Sequence, residues 1–233
     1  MKKTFSLLMT LMLLICAFCS CQSKEEDDWA REVAEYRAAK MTAYESENAQ
    51  YSDYEVDVAF LGDSLTDGYD VATYYPQYLV VNRGIGGDTT VDLENRLAVS
   101  VYDLKPKVAV MLIGANNPDT MMDNYENILK GLSDNLPNTK IILLSLTSMG
   151  GEHWGKNNQL AAYNNVQIKM LAQKYAFEYV DLYSALFNLD DGEIYDEYTT
   201  DGGHLTALGY EVLTREITPA IERQLAAWTL KNE

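Results

Sequence analysis

The stretch "FLGDSLTDGY", residues 60–69, is where the fold becomes readable. An apolar run, Val56–Leu61, stops at Gly62 and is followed at once by Asp63, Ser64 and a Thr-Asp-Gly turn. Such a break has two readings. It is an ordinary strand-to-helix turn in which serine caps the helix, or it holds a serine nucleophile at the lip of a sheet. The choice depends on what the other strands deliver to the same place.

Further short apolar runs follow: Leu79–Val81, Val108–Ile113, Ile141–Leu146 and Tyr179–Val180. Helical patterns separate them over Thr89–Val101, Thr120–Leu136 and Gln159–Tyr175, and a last helix is expected over Ala207–Thr229. The strands are continuously apolar and do not alternate, so both their faces are covered, as in a parallel sheet flanked by helices. The expected fold is α/β, a single doubly wound, flavodoxin-like parallel sheet. Upstream, Trp29, Val33, Tyr36, Met41 and Tyr44 fall at near-helical spacing and predict an amphipathic lead-in helix, with polar "SENAQYSDYE" after it.

In such a sheet, ligands bind beyond the carboxyl ends of the strands. The first strand delivers Gly62-Asp63-Ser64 and the second delivers "NRGIGGDTT", Asn82–Thr90. The third delivers "GANNPDT", Gly114–Thr120, and "TDGGHLTALGY" brings Asp201 and His204 just before the last helix. These four segments are expected to converge on one rim. Together they resemble the four blocks of the SGNH, or GDSL, hydrolase family, in the family's order.

A serine hydroxyl needs a base at neutral pH, and the chain has two histidines, His153 and His204. In Asp201-x-x-His204 the carboxylate can reach the imidazole, fix its tautomer and stabilise its charged form. Ser64, His204 and Asp201 are therefore the expected nucleophile, base and orienting acid, and the family pattern agrees. The resemblance further implies an oxyanion hole from the backbone N–H groups of Ser64 and Gly87 and the side-chain amide of Asn116. A glycine at 87 lets the backbone approach a substrate without a Cβ in the way. One position departs from the family block Gly-x-Asn-Asp: Asn117 stands where the aspartate is expected.

Other residues are candidates for substrate contact or support. Asp63 precedes the nucleophile, and Asp67 complements the dipole of the following helix. Asp88 reads as a helix cap, and Arg83 as a partner for Asp67 or Asp88 or for substrate. His153 and Trp154 lie in the loop after the fourth strand.

Several classes are excluded. Thr66 breaks the Gly-x-Ser-x-Gly elbow, and Thr89 breaks a Gly-x-Gly-x-x-Gly dinucleotide loop. Two distant histidines suggest no zinc cluster, and "DDGEIYDE" lacks calcium-loop spacing. Neither a cofactor nor a metal is expected.

The first residues read as a leader. Lys2 and Lys3 precede an apolar run, Leu7–Phe18, and then Cys19-Ser20-Cys21, the layout of a secretory signal over residues 1–20. The end resembles a bacterial lipobox, which implies acylation of Cys21, a tether over 21–28 and a hydrolase domain over 29–233. Gln22 and the acidic residues behind it resemble signals for outer-membrane and surface delivery of Bacteroidetes lipoproteins. The expected location is an exported protein tethered to the membrane by lipid alone, facing periplasm or cell surface. Without Lys2 and Lys3, the 18 basic residues become 16 against 35 acidic ones, a net charge of −19. That charge repels nucleic acid and favours a neutral substrate.

The sequence thus predicts a serine ester hydrolase acting through an acyl-enzyme, with O-acetyl groups of carbohydrates as the expected substrate. The alternatives are a lipid-directed lysophospholipase, thioesterase or acetylhydrolase, and a carbohydrate-binding lipoprotein without turnover.

Overall fold

The computed structural model describes residues 31–232. The leader, Cys21, the tether and Trp29 lie outside these residues. The chain divides into two compact units, one ending at Thr42 and the other beginning at Ala43. Helix α1 covers residues 31–48. In the first unit, Arg31 pairs with Glu35 one turn on, the Thr42 hydroxyl donates to the Ala38 carbonyl, and Tyr36 is exposed.

In the second unit, β1 (Val58–Gly62), β2 (Val80–Gly84), β3 (Val108–Leu112), β4 (Lys140–Leu144) and β5 (Glu178–Val180) form one parallel sheet in the order β2-β1-β3-β4-β5. Val58 lies opposite Val80 on one side and Val108 on the other, so β1 is central and buried throughout. From β1 the chain steps outward to β2, then crosses back to β3 and runs the other way to β5. Right-handed crossovers then place helices on both faces. The fold is the doubly wound α/β sheet expected from the apolar runs. Its topological switch point lies between the carboxyl ends of β1 and β3, where ligands bind in such sheets.

The long helices cover the sheet with apolar stripes. On α5 (Met122–Asn135) the buried residues Tyr125, Ile128, Leu129 and Leu132 recur at helical spacing. On α7 (Asn158–Tyr175) they are Ala161, Ile168 and Ala172, and on α9 (Ala207–Asn232) Val212, Leu213, Ile217 and Ile221. No helix among the described residues is long and apolar enough to cross a membrane.

The elements differ from expectation in four places. Helix α1 runs on through the polar residues 46–48, because Tyr44 and Asn48 are buried and hydrogen-bond the Gly84 and Val99 carbonyls. Strand β2 continues to Gly84, which takes Arg83 out of the rim loop. The helix expected over Thr89–Val101 is two pieces, α4 (Thr90–Asn95) and a π-helical turn (Ala98–Tyr102), because the chain leaves the helical path at Arg96 to turn that side chain inward. Finally, α2 (Ser64–Asp67), α3 (Val71–Tyr74), α6 (Gly151–Trp154) and α8 (Leu182–Leu186) are too short to show helical periodicity in a sequence.

Helix α7 ends on Ala176, held at φ 55° in the left-handed region while its N–H and that of Phe177 satisfy the Ala172 carbonyl. That conformation costs an L-residue roughly 1–2 kcal/mol, and glycine avoids it. Ala176 is exposed and contributes little packing. Ala176→Gly is expected to stabilise the protein by about 1 kcal/mol, read in urea denaturation or as a Tm raised by about 2–4 °C.

Candidate active site

Asp63 caps α2. Its Oδ1 accepts from the Leu65 N–H at 3.1 Å, so aspartate and not serine does the capping. Ser64, the first residue of the helix, is thereby left with its hydroxyl toward His204, Oγ to Nε2 being 3.0 Å. Two side chains hold α2 in place. Tyr210 of α9 donates to the Leu65 carbonyl at 3.0 Å, and Asn82 of β2 donates to the Thr66 and Tyr69 carbonyls.

His204 is fixed from its other side. Its Nδ1 lies 2.8 Å from Asp201 Oδ2, while Asp201 Oδ1 accepts the backbone N–H groups of Gly203 and His204. Burial alone would raise the Asp201 carboxyl, but hydrogen bonds from the His204 ring and from these two amides outweigh it. They hold the carboxyl well below the usual range. An ionised carboxylate only accepts, so Nδ1 carries the ring proton and Nε2 offers its lone pair to the Ser64 hydroxyl.

The loop after β2 meets this pair. Gly87 stands at φ 79°, a left-handed conformation that favours glycine, and open space lies where a side chain would sit. Asp67 Oδ2 accepts the Gly86 N–H at 3.0 Å, so it anchors this loop in addition to any effect on the helix dipole. Asn116, past the end of β3, donates one amide hydrogen to the Asp88 carbonyl at 2.9 Å. Ser64, His204 and Asp201 thus form one hydrogen-bonded row, and Asn116 meets the loop of Gly87 through the Asp88 carbonyl.

Asp88 and Arg83 have other roles than expected. Asp88 is not the cap of α4, because Thr89 is, in a reciprocal capping box with Asp92. Asp88 is instead fully buried and paired with Arg96, Nε to Oδ2 2.6 Å. Arg83 does not face substrate. Its buried guanidinium pairs with Glu47, bonds Asn48 and lies over the Tyr44 ring. Asn117 bonds Thr90, accepting its N–H at 3.2 Å and donating to its Oγ1 at 2.9 Å, and does not touch Asn116's amide.

Trp154 meets the site and His153 does not. The Trp154 and His204 rings lie perpendicular with centroids 5.6 Å apart, while His153 is exposed and packs perpendicular to Trp154 at 5.1 Å. Gly203 lies so close to the indole that a Cβ there would come within 2.5 Å of the ring. Glu193, from the turn before the Asp201 loop, accepts the Gly151 N–H at 2.7 Å, and the Gly150 N–H donates to the Gly202 carbonyl at 2.9 Å. Asn158 adds bonds to the Met149 N–H and the Gly192 carbonyl. This lattice holds Trp154 against His204, and nothing in the sequence spacing announced it. Beside Ser64 a cavity of ≈ 10 Å³ is lined by Leu65, Ala115, Thr147, Met149 and Trp154. Among the described residues no group of three or more His, Cys, Asp or Glu is placed to hold a metal.

Residues 60–212 match the GDSL-like lipase/acylhydrolase family. No curated protein matches the chain. Among solved structures, the chain is similar to a Bacteroides fragilis protein provisionally named an acylhydrolase. That pair is 26% identical over 78% of this chain and 95% of the other, with TM-score 0.70. It is also similar in fold to a GDSL-like lipase from Bacteroides thetaiotaomicron, at 24% identity over 78% and 97% of the two chains, TM-score 0.70. An acetylxylan esterase from Geobacillus stearothermophilus shares the fold at 22% identity over 72% and 95%, TM-score 0.59.

Two electrostatic features yield predictions. Asp63 is fully buried, and burial pushes its carboxyl up to about 6 from an ordinary 3.8, against the opposing Leu65 and Ala115 N–H groups and with help from nearby Asp88. The folded chain therefore holds this proton where the unfolded chain has lost it, and stability declines as pH rises from about 4 to 7. Asp63→Asn is expected to remove that slope. In urea titrations its stability relative to wild type should rise across the window by up to about 3 kcal/mol. The second feature is a one-way chain in which Asn117 donates to Thr90, Thr90 Oγ1 to Asn124 Oδ1 (2.7 Å), and Asn124 Nδ2 to Glu94 (2.7 Å). Asn117→Asp faces Thr90 with an acceptor and should destabilise by about 1–3 kcal/mol. Adding Glu94→Gln, which allows the chain to reverse, should recover part of that loss in a double-mutant cycle.

Proposed function

We propose, since the chain belongs to the GDSL-like lipase/acylhydrolase family of carboxylic ester hydrolases, that its ester is an O-acetyl group on a carbohydrate and that Ser64, His204 and Asp201 hydrolyse it. The observation that carries the substrate reading is the cavity beside Ser64. At ≈ 10 Å³ it has room for a body the size of one water, where about 10–15 Å³ suffices. An acetyl methyl is of that size, and a longer acyl chain would have to displace Met149 or Trp154. Past Asp201 the surface opens into a polar cleft of ≈ 330 Å³ between Glu193, Asp196, Thr199 and Thr200. Its acceptors and hydroxyls suit a hydroxyl-rich alcohol. The shared fold with an acetylxylan esterase is compatible with this reading.

In this reaction Ser64 Oγ attacks the acetyl carbonyl as His204 Nε2 takes its proton. The oxyanion meets the N–H groups of Ser64 and Gly87 and the second amide hydrogen of Asn116. The sugar oxygen leaves with the proton from His204, and acetyl-Ser64 remains. Water, deprotonated by His204, then releases acetate and restores the hydroxyl. Asp201 keeps the imidazole oriented and balances its charge. The basic, apolar leader that ends in Cys21 supports export and lipid attachment, which would present the activity to carbohydrate outside the cytoplasm.

The test is hydrolysis of p-nitrophenyl acetate, butyrate and octanoate, followed by acetate release from acetylated xylan, beside Ser64→Ala. Two extra methylenes overpack the cavity at about 1–3 kcal/mol each, so kcat/KM is expected to fall at least tenfold from acetate to butyrate and further to octanoate. Ser64→Ala is expected to lower kcat by at least about 10³-fold. Rates that rise toward octanoate would move the substrate to lipids. Activity indifferent to Ser64→Ala would remove the serine mechanism.

A further inference from the structure

A second cavity, ≈ 230 Å³, lies away from Ser64 between α7, the end of β5 and the start of α8. It is far larger than the space beside the serine, and its walls combine three kinds of group. Val166, Tyr179 and Tyr183 supply apolar and aromatic surface. Lys169 supplies a cation, with Nζ 5.7 Å above the Tyr179 ring and no carboxylate partner among the described residues. Asp181 supplies acceptors. Its carboxylate takes the Ser184 N–H and hydroxyl at 3.0 and 2.8 Å, which fixes both side chains at the cavity wall.

From these groups we infer that the cavity is a second carbohydrate site, holding one neutral sugar residue of the chain whose acetyl groups Ser64 removes. A sugar hydroxyl both donates and accepts, so a neighbouring pair can donate to Asp181 while accepting from Lys169. The C–H face of the ring then lies on tyrosine and valine. The wall carries one positive and one negative charge, which gives no net pull toward a uronate or an amino sugar. Two ionised groups at the wall also make it a poor seat for an acyl chain. Asn165 is buried at the base, where its amide oxygen and one amide hydrogen bond the Leu146 backbone.

The position of the cavity gives the site its use. Asp181, Tyr183 and Ser184 follow the carboxyl end of β5, the same edge of the sheet from which Ser64 projects. Three strand spacings separate β5 from β1, about 14 Å. A glycan of a few sugar units reaches both places at once, and the second contact then acts at high effective concentration. The polymer would be held without any change in the chemistry at Ser64.

The inference rests on the carbohydrate-ester reading and is tested separately from it, by binding. Ser64→Ala chain is run through native gels containing unacetylated xylan or glucomannan, beside the same chain with Lys169→Ala or Ala162→Trp. Lys169 is exposed and its loss leaves the fold intact, while the tryptophan fills the cavity. Retardation by at least one polysaccharide is expected, weakened by Lys169→Ala and abolished by Ala162→Trp. In the Ser64 background, both substitutions should leave p-nitrophenyl acetate turnover within twofold, and Ala162→Trp should raise KM for acetylated xylan about tenfold. Retardation that both substitutions leave unchanged, or no retardation of the Ser64→Ala chain by either polysaccharide, would overturn the site. A chain that releases no acetate from xylan yet is retarded through this cavity would support the site while refuting the O-acetyl reading.

Discussion

The rim of this sheet depends on one buried cation. Arg96 sits fully enclosed and spends its guanidinium on four partners: Asp88, the Arg83 carbonyl, the Ser100 hydroxyl and the Gly62 carbonyl. Gly62 and Arg83 belong to the last turns of β1 and β2, and Asp88 to the loop that carries Gly87. A single side chain therefore ties together the strand that presents Ser64 and the loop that carries Gly87, the proposed oxyanion donor. Burying two charges costs several kcal/mol each, and only good geometry and saturated hydrogen bonding offset it. Here both conditions hold, which makes the pair a device for precise placement. An apolar substitute of equal volume would keep the packing and lose the register between β1 and the loop.

Strain of the opposite kind lies one residue before Ser64. Asp63 is needed as a cap because α2 must begin at the serine, and its neighbour Asp88 is needed by Arg96. Both acids lie in the same dry region, one with a cationic partner and one without. The unpaired Asp63 therefore carries the electrostatic cost of an arrangement whose benefit falls on Ser64 and Gly87. The site gains a hydroxyl freed from capping duty.

How far the sequence revealed this is a matter of range. Ser64, Asn116, Asp201 and His204 were legible because each sits directly after a strand or before a helix, where local apolar pattern predicts position. Asp201 and His204 are three apart, so their pairing is local as well. The misreadings arose where a partner is remote. Arg83 faces Glu47 and Asn48, thirty-five residues or more away, across a strand whose end the apolar pattern set three residues early. Asp88 pairs with Arg96 because the helix breaks there, and a break of that kind has no signature in periodicity. Glu193 reaches Gly151 across forty-two residues of chain, and nothing short of the fold places them together.

The asparagine at 117 shows how such remote partners decide identity. Glu94 can only accept, so Asn124 must turn its NH₂ toward Glu94 and its oxygen toward Thr90. Thr90 must then donate its one hydroxyl hydrogen to Asn124, and its lone pairs require a donor from the other side. Asn117 has one and an aspartate does not. The missing family carboxylate is thus a consequence of Glu94, some twenty residues earlier in the chain, and not a loosening around Asn116. Asn116 bears this out, since its amide is oriented by the Asp88 carbonyl, which the Arg96 pair has already fixed. Position 117 answers to Thr90 at the start of α4 and leaves the placement of Asn116 to the buried ion pair.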